Sequence, residues 1–562
     1  NTWTKISGDL TRQIDRNQLK VMGKIWSPEA VAKNASTSLF GNIISLAESP
    51  LQEGLLYVGT DDGLIQVTED DGGNWTEYSK FPTVPETTYV SDIYPSRHDA
   101  FTVYAAFNNH KMSDFKPYVL KSTDKGKTWG SITGNLPENE PVWTLEEDHE
   151  NPDILFCGTE FGLYFTLNGG EKWIELKAGL PTIAVRDIDI QERENDLVIG
   201  TFGRGIYILD DYSPLRYVNK ETLDKDFYVF PIKDALMFNG DRSYAKENQG
   251  ETFYRVDNPP FGATFQYYLK EPVKTLKQER KEKEKELKEE EKTPPYPTFA
   301  ELRKEDLQEG PYLIFKIMDA NDNVVRFLTS PMKKGINRIT WDLRYPDPSP
   351  ASEATDINKA AGLAVMPGEY KVSVFQNVDG EITKLSEPVS FNAKLLEIQT
   401  LPPTDEKQLA DFREKVSRLQ QAVMGSQRVI ANMEEKLEVM EKSLLATPME
   451  DKEYLEKVRD YEYQLAEIKK KLSGDGSISK RNANQPPSIY DRLYYIMIGM
   501  WSTTTDVTTT QKEAYEIISK EFVPVLEDLR QLAEIDIKKL EDELNTMNAP
   551  WTPGRIPDWK PE

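Results

Sequence analysis

The sequence predicts a mainly β chain with an α-helical C-terminus, built as a run of β-propeller blades, a β-sandwich and a helical bundle. Three observations predict it. Between Trp3 and Asp211 a unit of about four short apolar strands recurs with a period of roughly 40–55 residues, which suits propeller blades. Residues 251–395 carry runs of period-two alternation, and from about residue 404 apolar residues recur at threes and fours.

The blades are marked by a repeated octapeptide. Thr68-Glu69-Asp70-Asp71-Gly72-Gly73-Asn74-Trp75, Ser122-Thr123-Asp124-Lys125-Gly126-Lys127-Thr128-Trp129 and Thr166-Leu167-Asn168-Gly169-Gly170-Glu171-Lys172-Trp173 all obey (Ser/Thr)-x-(Asp/Asn)-x-Gly-x-x-Trp. The spacing has a physical reason: Asp70, Asp124 or Asn168 caps backbone N–H groups of a tight turn. Gly72, Gly126 or Gly170 takes a positive φ, and Trp75, Trp129 or Trp173 packs below. The pattern resembles the Asp-box, or BNR, hairpin, and its residues are read as structural.

A longer register surrounds the boxes. Ile43-Ile44-Ser45-Leu46 leads to Leu56-Tyr57-Val58-Gly59-Thr60, and Trp143-Thr144-Leu145 leads to Leu155-Phe156-Cys157-Gly158-Thr159. Another copy runs from Val90-Ser91-Asp92-Ile93 to Trp129, and a fourth from Val185-Arg186-Asp187-Ile188 to Leu209 without a box. Four blades are few for a closed ring. Trp3-Thr4-Lys5-Ile6 reads as the tail of a further box, so the ring is expected to be partial or completed by upstream sequence or a separate chain. The chain is then the C-terminal part of a longer precursor. Residues 11–40 form a polar, irregular loop of a length that is more often functional than a hairpin turn.

The segments Ser45-Leu46-Ala47-Glu48-Ser49-Pro50, Gly59-Thr60-Asp61-Asp62-Gly63-Leu64, Asp114-Phe115-Lys116-Pro117-Tyr118, Gly158-Thr159-Glu160-Phe161-Gly162-Leu163 and Gly200-Thr201-Phe202-Gly203-Arg204-Gly205-Ile206 resemble the bacterial sortilin-like BNR-repeat proteins. Members of that group are often labelled glycosyl hydrolases and are typically exported. The resemblance runs to about residue 395 and implies a periplasmic, outer-membrane-associated or extracellular protein. Two departures stand out: Asn168 replaces the usual box Asp, and Phe202 stands where many relatives are expected to carry His.

Residues 1–211 are read as blades and 212–250 as a connector with short strands such as Phe227-Tyr228-Val229-Phe230. Within 251–395, Gly262–Leu269, Tyr312–Ile317, Asn337–Leu343 and Gly368–Phe375 resemble a FlgD-like immunoglobulin-type sandwich. Its charged insertion, 271–309, offers no buried face and reads as a protruding helix or disorder. Asp319-Ala320-Asn321-Asp322-Asn323 starts like a calcium loop but lacks the glycine and distal glutamate, so a hairpin turn is expected. Residues 404–547 give an antiparallel helical bundle whose Met and aromatic residues serve as core, and 548–562 a tail.

Composition removes several functions. A formal charge of −25 without clustered Lys or Arg argues against nucleic acid. The single Cys157 lies in a strand-like run and forms no internal disulfide. His98, His110 and His149 have no ligand partner at metal spacing, so no metal site or cofactor is expected. No 18-residue apolar run proposes a transmembrane segment. A sialidase-like site needs convergent arginines, whereas Arg97, Arg186, Arg193 and Arg204 form no cluster in the sequence. Carboxylate-pair glycan hydrolysis has candidates in Asp92 and Asp187, which share the Val-x-Asp-Ile register, and in Asp61, Asp62 and Glu160 after the Gly-Thr pairs. Arg204 is a candidate binding residue. Acidic residues at strand ends are most often solvated loop positions, so the sequence favours a non-catalytic, exported scaffold that presents the propeller to a protein or glycan partner. The alternative is a glycoside hydrolase.

Overall fold

The computed structural model describes all residues except 1–2, 36–38, 178, 239–255, 397–400, 449–452, 502, 504, 558, 560 and 562. The loop end Ser36-Thr37-Ser38, the last part of the expected connector (239–250) and the first sandwich residues therefore lie outside the described residues. The chain divides into two units, 1–223 and 224–562.

In the first unit, β1 (Ile43–Glu48), β2 (Leu56–Thr60), β3 (Ile65–Thr68) and β4 (Thr76–Tyr78) form an antiparallel meander. The same order recurs in β5 (Tyr89–Pro95), β6 (Val103–Asn108), β7 (Tyr118–Ser122) and β8 (Gly130–Ser131), and in β9 (Val142–Glu147), β10 (Leu155–Thr159), β11 (Leu163–Thr166) and β12 (Trp173–Glu175). A fourth sheet has three strands, β13 (Val185–Gln191), β14 (Asp196–Thr201) and β15 (Ile206–Leu209). The inner strands pack in series, β1 on β5, β5 on β9 and β9 on β13, so the blades stack around an arc and bury Tyr57, Phe107, Phe156 and Cys157 between them.

The boxes share one hydrogen-bond set. Thr68 Oγ1 accepts from Gly72 N at 2.9 Å and donates to Asp70 Oδ1 at 2.8 Å, while that carboxylate accepts from Asn74 N at 2.8 Å. Ser122, Asp124, Gly126 and Thr128 repeat it at 2.8 Å throughout. Thr166, Asn168, Gly170 and Lys172 repeat it with an amide oxygen in place of the carboxylate. The glycines sit at φ +88°, +83° and +95°.

Trp3 is fully exposed, yet the segment after it keeps blade register. Trp75 Nε1 donates to Ile6 O at 3.1 Å, as Trp173 Nε1 donates to Ile132 O at 2.9 Å. A Cβ on Gly72 would lie 2.4 Å from Ile6 O, and one on Gly170 would lie 3.0 Å from Ile132 O. Ile6 follows Trp3 by the same three residues that separate Ile132 from Trp129, and Leu10, like Leu136, is buried. Residues 3–10 thus lie on the first blade as residues 129–136 lie on the third. The outer flanks of the arc are apolar and open, with Ile43, Ile44 and Leu46 exposed on β1 and Ile206 and Ile208 exposed on β15.

The division between the units falls within the short helix α1 (Lys220–Asp224). In the second unit the strands of the expected connector belong to the sandwich. β16 (Phe227–Val229) pairs with β18 (Ala263–Leu269), and β17 (Ala235–Met237) pairs in parallel with β26 (Val389–Leu395). β21 (Gly335–Trp341) completes the first sheet. The other runs β17, β26, β24 (Gly368–Val378), β19 (Tyr312–Asp319) and β20 (Val324–Pro331), with β25 (Glu381–Lys384) on β24. Phe265 and Trp341 of one sheet meet Phe315 and Phe391 of the other in a single core. Asp319 accepts from Asn321 N and Asn323 N at 2.9 Å, closing the hairpin turn between β19 and β20.

The charged insertion is a pair of helices, α2 (Leu276–Glu289) and α3 (Phe299–Leu307), and neither buries a residue. Each starts with a reciprocal capping box, Thr275 with Gln278 and Thr298 with Glu301. Arg280 clamps the pair by donating to both oxygens of Glu305 at 2.7 and 2.8 Å. A second short ladder, β22 (Arg344–Pro346) with β23 (Ala361–Ala364), meets the bundle formed by α4 (Glu406–Leu445), α5 (Glu453–Ser473), α7 (Ile489–Trp501), α8 (Thr509–Arg530) and α9 (Ile537–Thr546); the short α6 (Gly476–Ser479) lies between α5 and α7. Leu409, Phe412, Val416, Val423, Ile430, Met433, Leu437, Met440 and Leu444 line the buried face of α4. Val429 on α4 and Tyr494 on α7 are exposed. The tail docks: Thr552 is fully buried and Ser443 Oγ donates to Pro550 O at 2.6 Å.

Asp124→Ala removes an acceptor that Thr128 N, Thr128 Oγ1 and Ser122 Oγ all reach. A loss of about 1–2 kcal/mol is expected, as for other lost caps. Urea unfolding of the variant should show it as a lowered midpoint at unchanged slope.

Candidate functional site

A β-bulge sits at the same place in every inner strand. The register shifts fall between Ile43 and Ser45, Val90 and Asp92, Val142 and Thr144, and Val185 and Asp187. The extra residue of each is Ile44, Ser91, Trp143 or Arg186, and a bulge re-aims the side chain it carries. In the first two blades the residue after the bulge turns toward the following blade. Ser45 Oγ accepts from Ile93 N at 2.9 Å, and Asp92 Oδ2 accepts from Leu145 N at 2.9 Å and from Thr144 Oγ1 at 3.1 Å.

This arrangement separates the carboxylates that the sequence groups. Asp92 lies inside a blade interface; burial pushes its carboxyl up to about 6, opposed by the Leu145 N–H and the Thr144 hydroxyl and reinforced by Asp187. Asp187 is exposed, and its Oδ1 accepts from Ile188 N at 3.1 Å. Asp61 holds the approach to β1 by accepting from Gly41 N at 2.9 Å and Asn42 N at 2.8 Å. Asp62 is fully buried and accepts from Thr60 Oγ1 at 2.6 Å and Arg12 N at 2.8 Å. Asp61 and Asp62 are therefore structural acceptors. Arg204 is exposed on the turn between β14 and β15.

Glu160 leads to a cluster. Its Oε2 accepts from Trp143 Nε1 at 2.8 Å and lies 3.5 Å from Arg186 Nη2. The Arg186 guanidinium stacks 3.5 Å from the centre of the Trp143 ring and 5.1 Å from that of Phe202, and the His110 ring lies 5.4 Å from Trp143. Burial holds the His110 imidazole below its ordinary range. Residues from three consecutive blades thus meet at one end of the arc, with Phe161 and Phe202 exposed beside them.

Sequence reasoning missed Glu146. It is buried on β9, accepts from Tyr94 OH at 3.0 Å, and has Arg97 Nη2 at 3.5 Å. Burial pushes its carboxyl up to about 8 against the Tyr94 and Arg97 contacts, with Asp189 and Asp92 adding repulsion. The available signal was Leu145-Glu146-Glu147-Asp148, acidic where an inner strand should alternate. Neighbouring Glu147 is also buried and accepts from Ser96 Oγ, Arg97 N and Tyr104 OH. Among the described residues no His, Cys, Asp and Glu group has the makings of a metal site.

No protein-family model matches the chain, and no curated protein does. Solved structures similar to it include β-propellers. It shares 17% identity with YCF48 from Cyanidioschyzon merolae over 30% of this chain and 52% of that one, at a TM-score of 0.23. The GH74 xyloglucanase from Xanthomonas campestris matches at 12% identity over 67% of this chain and 47% of that one, TM-score 0.27. The Cps50 (Swd1) β-propeller domain of Myceliophteria thermophila matches at 14% over 35% and 64%, TM-score 0.25. The chain spans less than two thirds of each.

A carboxyl whose folded pKa is raised binds more protons in the native state than in the unfolded one. Native stability contributed by Glu146 is therefore present below its ordinary range and is lost as pH rises toward about 8. Glu146→Gln should flatten that slope. At pH 8 the variant should melt about 2–4 °C above the parent, and the gain should vanish near pH 5, by scanning calorimetry.

Proposed function

We propose that the protein is an exported, non-catalytic binding scaffold that presents its propeller to a partner at the cell envelope. The observation that carries this reading is the use of the inner-strand carboxylates. Half-buried Asp92 and the buried Glu146 and Glu147 are acceptors for neighbouring blades, while the open surface beside the inner-strand bulges is made of Phe161, Phe202, Arg186 and Glu160. Aromatic rings beside a stacked guanidinium suit recognition. Export is supported by the resemblance of the Gly-Thr and Asp-box segments to exported repeat proteins. No described helix is long and apolar enough to cross a membrane.

One observation favours the alternative, a carboxylate-pair glycoside hydrolase: Asp92 has a raised pKa, with exposed Asp187 within electrostatic reach. Asp92→Asn with Asp187→Asn separates the two. A hydrolase deprived of an acid and a base loses about 10²–10⁴-fold of its rate for each, whereas a scaffold keeps its partner. The complete protein is expected to release no reducing ends from a polysaccharide panel. Turnover that disappears in the double variant would overturn the scaffold reading.

The open flanks belong to the same proposal. Ile43, Ile44 and Leu46 on one side and Ile206 and Ile208 on the other are covered by further blades, in the same polypeptide or a separate chain. Alone, the present chain should self-associate in sedimentation velocity at micromolar concentration, and Leu46→Glu with Ile208→Glu should suppress it. A monodisperse parent chain would sink this part of the reading.

A further inference from the structure

The turns linking second to third strands differ between blades. In the first blade the turn is Asp61-Asp62-Gly63, tied inward to Asn42 and Arg12. In the third and fourth blades the corresponding tips carry Phe161, 47% exposed, and Phe202, 67% exposed. Water-facing rings at tips where another blade places carboxylates are not a requirement of the fold. Phe161 stays open although a following blade is present, so its exposure does not come from an arc edge.

Around these rings the polar groups are rigid. Glu140 Oε2 accepts from Phe161 N at 3.3 Å and from Thr159 Oγ1 at 2.6 Å, which fixes one turn. Arg186 is held flat on Trp143, and Glu160 is anchored by the indole N–H. Arg186 Nε is buried and meets no acceptor. The Arg186 side chain keeps about a third of its surface open, and a guanidinium edge beside an anchored carboxylate and two open rings suits a ligand with hydroxyl oxygens on its edge and C–H groups on its face. A pyranose has both. Glu160 and Asp187, in a chain of formal charge −25, disfavour an acidic polymer.

We propose that Glu160, Phe161, Arg186 and Phe202 form a subsite for a neutral oligosaccharide, with sugar rings stacked on the two phenylalanines and hydroxyls shared between Arg186 and Glu160. The inference rests on the binding-scaffold reading and names its ligand class. An aromatic stack contributes about 0.5–1.5 kcal/mol, so each ring is worth up to about tenfold in affinity.

The test is titration calorimetry of the complete chain with cellohexaose, mannohexaose and a hexamer of galacturonic acid. A neutral hexamer should bind, Phe202→Ala should weaken it about tenfold at unchanged melting temperature, and Arg186→Lys, which keeps the charge but loses the planar fork, should weaken it too. Absence of binding by both neutral hexamers, preference for the galacturonic acid hexamer, or binding that survives Phe161→Ala with Phe202→Ala would overturn the subsite. Reducing ends are followed in the same samples. Their release would sink the non-catalytic reading while leaving the sugar subsite standing, and lost binding without release would sink only the subsite.

Discussion

The arc depends on how closely one blade approaches the next at the inner-strand bulge. A Cβ on Gly59 would come within 2.6 Å of Val90, and one on Gly158 within 2.8 Å of the Val185 carbonyl and 2.7 Å of Thr144. Glycine at those places leaves room for the following inner strand, and in the first blade the closure puts Ser45 within hydrogen-bonding distance of Ile93 N; the second blade carries the small Ala106 at the matching position, and Asp92 there reaches Leu145 N. Gly200, on the last blade, meets only its own Asp187 at 3.4 Å or beyond. The bulge therefore both locks the stack and frees one side chain per blade at one end. Since Ile44, Ser91, Trp143 and Arg186 share a backbone role, their identity is open to function while the fold stays constant.

The parts of the fold legible in the sequence are those made by local chemistry. A hydroxyl, a carboxylate and a glycine within five residues define the box turn wherever they occur, and Asn168 shows that an amide oxygen serves equally. The bulge is different, because nothing in Val-Trp-Thr-Leu or Val-Arg-Asp-Ile marks which residue is extra. Trp143 thus reads as strand core and Arg186 as one arginine without companions, when its companions are aromatic. Asp92 and Asp187 share a register, but only the stacking of blades decides that one is half-buried against a following blade and the other exposed. Long-range pairing hid the ends of the sandwich similarly: Phe227–Val229 is recognisable as a strand, while its partner, β18, begins more than thirty residues later. The second capping box, at Thr298, was a local signal that the charged insertion turns back on itself.

In the second unit, sandwich and bundle are joined by arginines as well as by the apolar contact of Leu363. Arg413 of α4 is buried and donates to Ala364 O on β23 and to Thr503 O, each at 3.1 Å, and Arg344 of β22 stacks 3.9 Å from the Trp501 ring of α7. Burial lowers the Arg413 pKa without discharging a guanidinium. Arg326 does comparable work inside the sandwich, donating to Tyr345 O and Ile357 O and so holding the irregular loop between β22 and β23. Leu363 then joins the bundle core. A guanidinium that saturates carbonyls of several segments gives orientation where a purely apolar contact would allow sliding.

The balance between catalysis and recognition follows from the same accounting of hydrogen bonds. A general acid or base must exchange a proton with a substrate, so it needs a lone pair or proton free of fixed partners and a path from solvent. Asp92 meets these needs only in part: it is half-buried, and its Oδ2 is held by a backbone N–H and a hydroxyl of the next blade. Glu146 has the raised pKa expected of an acid, but its Oε1 is occupied by Tyr94 and its surroundings by Arg97, which also binds Glu192. Raised carboxyl pKa values at blade interfaces thus record the cost of burying acidic acceptors in a crowded stack, and only a perturbed group that also faces open space counts toward chemistry. In this arc the open space beside the bulges belongs to Phe161, Phe202, Arg186 and Glu160, and the binding reading proposed above rests on that placement.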